Sequence, residues 1–107
     1  MTVTSSSPTD VLDTVEVLAD PLRREIVRRL AAAELCTCHL VEMTGAPQPT
    51  VSYHLKVLRE AGWVSSDPAG RYTYYALEAD AVAALAQTLG GLAAQVTAGV
   101  GRRPACD

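Results

Sequence analysis

Apolar residues recur at three- and four-residue intervals through the first sixty positions and again near the end, with β-type alternation confined to the stretch between. Val11, Leu12, Val15 and Leu18 predict a first helix, capped by Thr9 or Asp10 and running to about Leu18. Asp20-Pro21 opens a second, because aspartate suits the N-cap and proline, which has no N–H to leave unpaired, suits the first helical position. Its stripe is Leu22, Ile26, Val27 and Leu30; Arg23, Arg24, Arg28 and Arg29 are expected in solvent, and the helix should end near Ala33. A short third helix is predicted over about Cys38 to Thr44, with Gly45 as its stop.

Ala46-Pro47-Gln48-Pro49 makes a turn, since each proline disfavours helix in the residue before it. A fourth helix follows from about Pro49 to Ala61, closed by Gly62, with Val51, Leu55 and Leu58 inward. Trp63 to Ser66 and Arg71 to Ala76 then read as two strands around the turn Asp67-Pro68-Ala69-Gly70. Tyr72, Tyr74 and Tyr75 are expected to pack beneath this hairpin. A last helix from about Asp80 to Val96 carries Val82, Leu85, Leu89, Leu92 and Val96 in one stripe, with Gly90-Gly91 as a weak point. The order is a mainly α fold with a β-hairpin wing, a winged helix-turn-helix with an extra helix at each end. Terminal apolar stripes in so short a chain call for a partner, so a homodimer is expected. The expected organisation is a disordered arm over residues 1–8, one domain over 9–97 and a flexible tail over 98–107 that contains Cys106.

Composition narrows the class. The chain has 107 residues, enough for one small core, and no Phe; Ala, Leu and Val supply the apolar fraction. No apolar run is long enough to span a bilayer and no signal peptide opens the sequence, so a cytoplasmic protein without membrane contact is expected, its thiols reduced. The net charge of −3 hides a division: residues 1–20 carry −4, residues 21–75 carry +2 and residues 76–107 carry −1. Phosphates respond to the local field, so the middle segment suits double-stranded DNA.

Two features carry chemistry. At the start of a recognition helix, Gln48, Thr50, Ser52 and Tyr53 are placed to meet base edges, with His54 and Lys56 as further candidates. Arg59 and, at the hairpin tip, Arg71 suit phosphate contacts. The second feature is Cys36-Thr37-Cys38, two of only three cysteines, one residue apart just upstream of that element. Thiolates are soft donors that favour soft ions. Residues i and i+2 of an intact helix point to different sides, so the pair can chelate one atom only from a non-helical start of the third helix. An enzyme using these thiols is the alternative from another class, although the chain has no CxxC, phosphate-cradling loop, Ser/His/Asp set or paired carboxylates to support it.

The segments Val17-Leu18-Ala19-Asp20-Pro21-Leu22-Arg23, Glu34-Leu35-Cys36-Thr37-Cys38-His39-Leu40 and Gln48 to Gly62, in that order, resemble the ArsR/SmtB family of metal-responsive winged-helix repressors over about residues 12–90. The cysteine segment is similar to the arsenite- and antimonite-sensing branch. The resemblance implies a dimeric repressor that leaves operator DNA when As(III) or Sb(III) binds Cys36 and Cys38, with no organic cofactor. That branch often carries a third cysteine three residues after the second, where this chain has Val41. Cys106, on a tail able to extend roughly 30 Å, is the candidate third sulfur from its own or the partner subunit; His39, solvent or an added thiol are the others. Zn(II) or Cd(II) is the alternative inducer. The last helix offers Glu78 and Asp80 but no histidine, so the interfacial zinc site of some relatives cannot be built there in its usual form.

Overall fold

The computed structural model describes residues 11–99 and 103–105. The expected arm over residues 1–8, the caps Thr9 and Asp10, and Cys106 lie outside them.

The first element is a 3-10 helix, Val11–Ala19, where an α-helix was expected. Four of its nine residues, Val11, Thr14, Val15 and Val17, are β-branched and lose side-chain freedom in an α-helix. Helix α1, Pro21–Ala32, begins as predicted: the Asp20 carboxylate accepts the Leu22 and Arg23 backbone N–H groups at 2.8 and 3.1 Å. Two arginines expected in solvent are instead tied back. Arg23 Nε donates to the Val17 carbonyl at 2.8 Å and an Arg24 guanidinium nitrogen to the Leu18 carbonyl at 2.6 Å. These are carbonyls that the end of the preceding helix leaves unpaired, and a guanidinium satisfies them well. Arg28 and Arg29 are exposed and pair with Glu25.

A two-residue strand that periodicity did not foretell, β1 (Leu35–Cys36), leads into α2 (Thr37–Thr44). Gly45 ends α2 at φ 75°, a left-handed conformation open to glycine, and its N–H returns to the Val41 carbonyl at 2.9 Å. After the proline turn, α3 runs over Gln48–Glu60, with Val51, Leu55 and Leu58 buried as expected. Its end is a Schellman motif: Gly62 sits at φ 83°, its N–H reaches the Arg59 carbonyl at 3.0 Å, and the Trp63 N–H reaches the Leu58 carbonyl at 2.9 Å. The motif drives Trp63 into the core and aims the chain into β2 (Val64–Ala69), joined through Gly70 and Arg71 to β3 (Tyr72–Leu77). The first strand is longer than predicted, the second keeps its predicted length one residue later, and the turn is tighter.

The antiparallel sheet has the order β1-β3-β2, with Leu35 opposite Tyr75, Cys36 opposite Tyr74, and Ala69 opposite Tyr72. Helix α4, Ala79–Thr97, passes through Gly90-Gly91 without interruption. One core joins these elements through Val17, Ile26, Leu30, Leu35, Leu40, Val51, Leu55, Leu58, Trp63, Val64 and Leu85, with Tyr75 and Leu77 of β3 packed against it. The α4 stripe is therefore split: Leu85 turns into the core, while Val82, Leu89, Leu92 and Val96 stay exposed.

The α1 cap has a pH consequence. The Arg23 backbone N–H chiefly, then the Leu22 N–H and the nearby Arg23 guanidinium, hold the Asp20 carboxyl below its usual range, against a smaller opposing effect of burial. A depressed folded-state pKa stabilises the fold above the unfolded value of about 3.9, and that contribution is lost as pH falls through the lower folded value. The melting temperature of Asp20→Asn should therefore lie below that of the wild type by a constant margin from neutral pH to about pH 5, and the margin should shrink in more acid solution.

Candidate functional site: a thiol pair beside the helix-turn-helix

Cys36 is the N-cap of α2, with extended backbone at φ −88° and ψ 167°, and Cys38 lies in the first helical turn. The pair thus straddles the helix start, which removes the angular obstacle a continuous helix would impose. Its Cα atoms are 5.4 Å apart, and the two sulfurs are joined in a disulfide where free thiols were expected. Convergence of the sulfurs on one side of the chain is also what a single soft atom bridging the reduced pair requires. Cys36 is buried beside β3, to which its strand pairs, and Cys38 is exposed, so one sulfur is anchored and the other faces solvent.

His39 completes the cluster. Its Nδ1 accepts the Cys36 backbone N–H at 3.1 Å and lies 3.3 Å from the Cys36 sulfur. Accepting that N–H fixes Nδ1 as the unprotonated nitrogen and satisfies one of the amides left over at the helix start. The ring also lies against Tyr74, centroids 6.1 Å apart. Ligand atoms of Cys36, Cys38 and His39 all fall within 4.8 Å of one another.

A cleft of about 460 Å³ opens beside the pair, lined by Cys36, Cys38, Val41, Gln48, Arg71, Tyr72 and Tyr75 among others. Elements distant in sequence meet there: the start of α2, the first residue of α3, and the wing. The tyrosines divide their roles. Tyr75 packs against the core, Tyr74 faces His39, and Tyr72, half exposed, forms part of the cleft wall.

Of the DNA-reading candidates, Gln48, Thr50, Ser52, Tyr53, Lys56 and Arg59 are exposed on α3, and Arg71 is exposed at the hairpin tip. His54 is the exception. It is 7% exposed, with Nδ1 3.3 Å from the Arg23 guanidinium and Nε2 3.8 Å from an Asp20 oxygen. A guanidinium only donates, so Nδ1 accepts and the ring hydrogen on Nε2 is turned toward Asp20. This residue joins the recognition helix to the start of α1 and does not belong to the exposed reading face. Four residues apart, Thr50, His54 and Leu58 share a side of α3, and spacing alone does not reveal where the buried arc of that side begins.

Fold and site together define a winged helix-turn-helix with a cysteine cluster at its first motif helix. The bacterial regulatory protein, arsR family, matches residues 20–66. The HTH-type transcriptional repressor SmtB of Mycobacterium tuberculosis is 39% identical over 74 residues, 65% of this chain and 55% of that protein, so the chain spans about half the length of this curated relative. Among solved structures, a possible transcriptional regulator for arsenical resistance has 35% identity and a TM-score of 0.68, covering 75% of this chain and 83% of that one. The homodimeric winged helix-turn-helix DNA-binding domain Mb0332 of Mycobacterium bovis has 26% identity and a TM-score of 0.62, covering 88% and 91% of the two chains. The chain belongs to the arsR family of bacterial regulatory proteins. These relatives are regulators, which sets aside the thiol-dependent enzyme. Their names include both SmtB and arsenical resistance, so what the likeness carries is the family and not the arsenite-sensing branch.

Proposed function

We propose that this chain is a homodimeric transcriptional repressor that holds operator DNA through α3 and the wing and releases it when trivalent arsenic or antimony bridges the reduced thiols of Cys36 and Cys38. The observation that carries the proposal is the shared cleft: the two cysteines line the same space as Gln48 at the head of α3 and Arg71 on the wing.

Exposed Gln48, Thr50, Ser52 and Tyr53 present hydrogen-bonding groups for base edges, while Lys56, Arg59 and Arg71 supply cations for phosphates. The sulfurs, once reduced, converge closely enough to hold one thiophilic atom between them. Bridging ties the first turn of α2 to the N-cap, and α2 packs on α3, so a shift at the thiols is felt by the reading helix. A ligand in the cleft also competes for the space around Gln48 and Arg71. Reversing occupancy from almost fully bound to almost fully free requires a preference of about 5.5 kcal/mol for the released state, and formation of two metalloid–sulfur bonds only in that state can supply it. Cys106, the third sulfur suggested by the resemblance, lies outside the described residues, and the two thiols of Cys36 and Cys38 are the ligands this reading uses.

A second reading takes Zn(II) or Cd(II) as inducer, favoured by the nearness of His39 to both sulfurs. His39 can offer Nδ1 only by releasing the Cys36 N–H that it now accepts. His39→Ala would therefore abolish a response to zinc and leave a response to trivalent arsenic.

The test is titration of reduced protein on labelled operator DNA. Cys36→Ser and Cys38→Ser should each bind operator as the wild type does and fail to release it with trivalent arsenic. A normal response in the double variant would refute the sensor site.

A further inference from the structure

We propose that the favoured ligand is a trivalent arsenical with one carbon substituent, R–As(III), held by Cys36 and Cys38 with R lying in the cleft; this rests on the reading of that pair as the inducer thiols. Trivalent arsenic makes three bonds. Inorganic arsenite has three exchangeable oxygens and is best satisfied by three sulfurs, whereas R–As(OH)₂ has two and matches two thiols. The position from which α2 would most simply present a third sulfur, one turn beyond Cys38 on the same face, is Val41, and Val41 lines the cleft. The nearest nitrogen, His39 Nδ1, is occupied by the Cys36 N–H. Beside the thiols the cleft is walled by Val41, Tyr72 and Tyr75, with Thr37, Gln48, Arg71 and Thr73 completing the lining. Aromatic walls favour an aromatic R through offset or edge contacts, and about 460 Å³ accommodates a ring.

The chemistry is an exchange without oxidation or reduction at arsenic: R–As(OH)₂ and two thiols give R–As(S–Cys)₂ and two waters. Two As–O bonds break, two As–S bonds form, and each thiol proton leaves with a hydroxyl. The disulfide must first take up two electrons and two protons, supplied in the experiment by a phosphine reductant that is then removed.

The full-length reduced protein on labelled operator DNA is titrated with phenylarsine oxide, methylarsonous acid and sodium arsenite, and the free protein is weighed by native mass spectrometry after each. Phenylarsine oxide should release the duplex at a concentration at least tenfold below arsenite and add one phenylarsenic per protomer in place of two hydrogens. Tyr72→Ala should weaken the response to phenylarsine oxide more than that to methylarsonous acid, which a general affinity of dithiols for arylarsenicals would not produce. Val41→Cys should raise the response to arsenite and narrow the gap. Cys106→Ser should change neither. Arsenite acting as well as phenylarsine oxide, a tenfold gap indifferent to both Tyr72→Ala and Val41→Cys, or loss of release in Cys106→Ser would overturn the proposal. Failure of all three arsenicals on the wild type would overturn the inducer-thiol reading itself.

Discussion

Glutamate in place of Leu89 should leave the chain monomeric and remove most of its operator binding. Val82, Leu89, Leu92 and Val96 are 38–72% exposed along one side of α4, although Leu85 on the same helix is buried. Val15, on the 3-10 helix that packs against α4, is likewise 41% exposed. Contiguous aliphatic surface of this kind is what a self-complementary dimer face buries. A two-fold dimer places the carboxylate at Leu89 in both subunits, and the cost of desolvating two unpaired charges exceeds what the remaining contacts recover. A monomer presents one recognition helix in place of two and loses the half-site spacing of about 34 Å that a dimer reads. Sedimentation velocity with operator titration checks both effects. A dimeric Leu89→Glu protein with normal DNA affinity would place the interface elsewhere.

Leu58→Ala should cost about 2–5 kcal/mol of stability, a large share of the roughly 5–15 kcal/mol available to a domain. Leu58 is fully buried. Its carbonyl also accepts the Trp63 N–H in the motif that turns α3 into the wing. Removing the side chain leaves a cavity where α3 meets Trp63 and the sheet, so the loss should exceed that of Val57→Ala, a partly buried neighbour on the same helix. Chemical denaturation at fixed protein concentration measures the difference; equal losses would contradict the packing described. Concentration must be fixed because the proposed dimerisation would add to apparent stability.

What the sequence made legible is what local rules govern. Asp20-Pro21, the Gly45 and Gly62 stops and the 3.6-residue stripe of α3 placed three helices to within a residue or two, and the change of period after Gly62 announced the hairpin. Non-local pairings were hidden. Strand β1 is two residues long, too short for periodicity to register, and exists because Leu35 and Cys36 pair with Tyr75 and Tyr74 nearly forty positions away. That pairing brings Cys36 alongside the wing strand at the cleft, so the thiols were visible in the sequence while their common boundary with Gln48 and Arg71 was not. His54 shows the same limit. A histidine among polar residues of a recognition helix reads as a DNA contact until Asp20 and Arg23 are found beside its ring.

The central claim is that occupancy of one thiol pair decides whether the reading helix keeps its DNA. Fluorescence anisotropy of a labelled operator duplex, saturated with reduced protein and titrated with a trivalent arsenical, tests it most directly. The account predicts a fall to the free-duplex value, complete near one arsenic per protomer, and recovery when a competing dithiol strips the arsenic away. Anisotropy that stays at the bound value while mass spectrometry shows arsenic on Cys36 and Cys38 would contradict it.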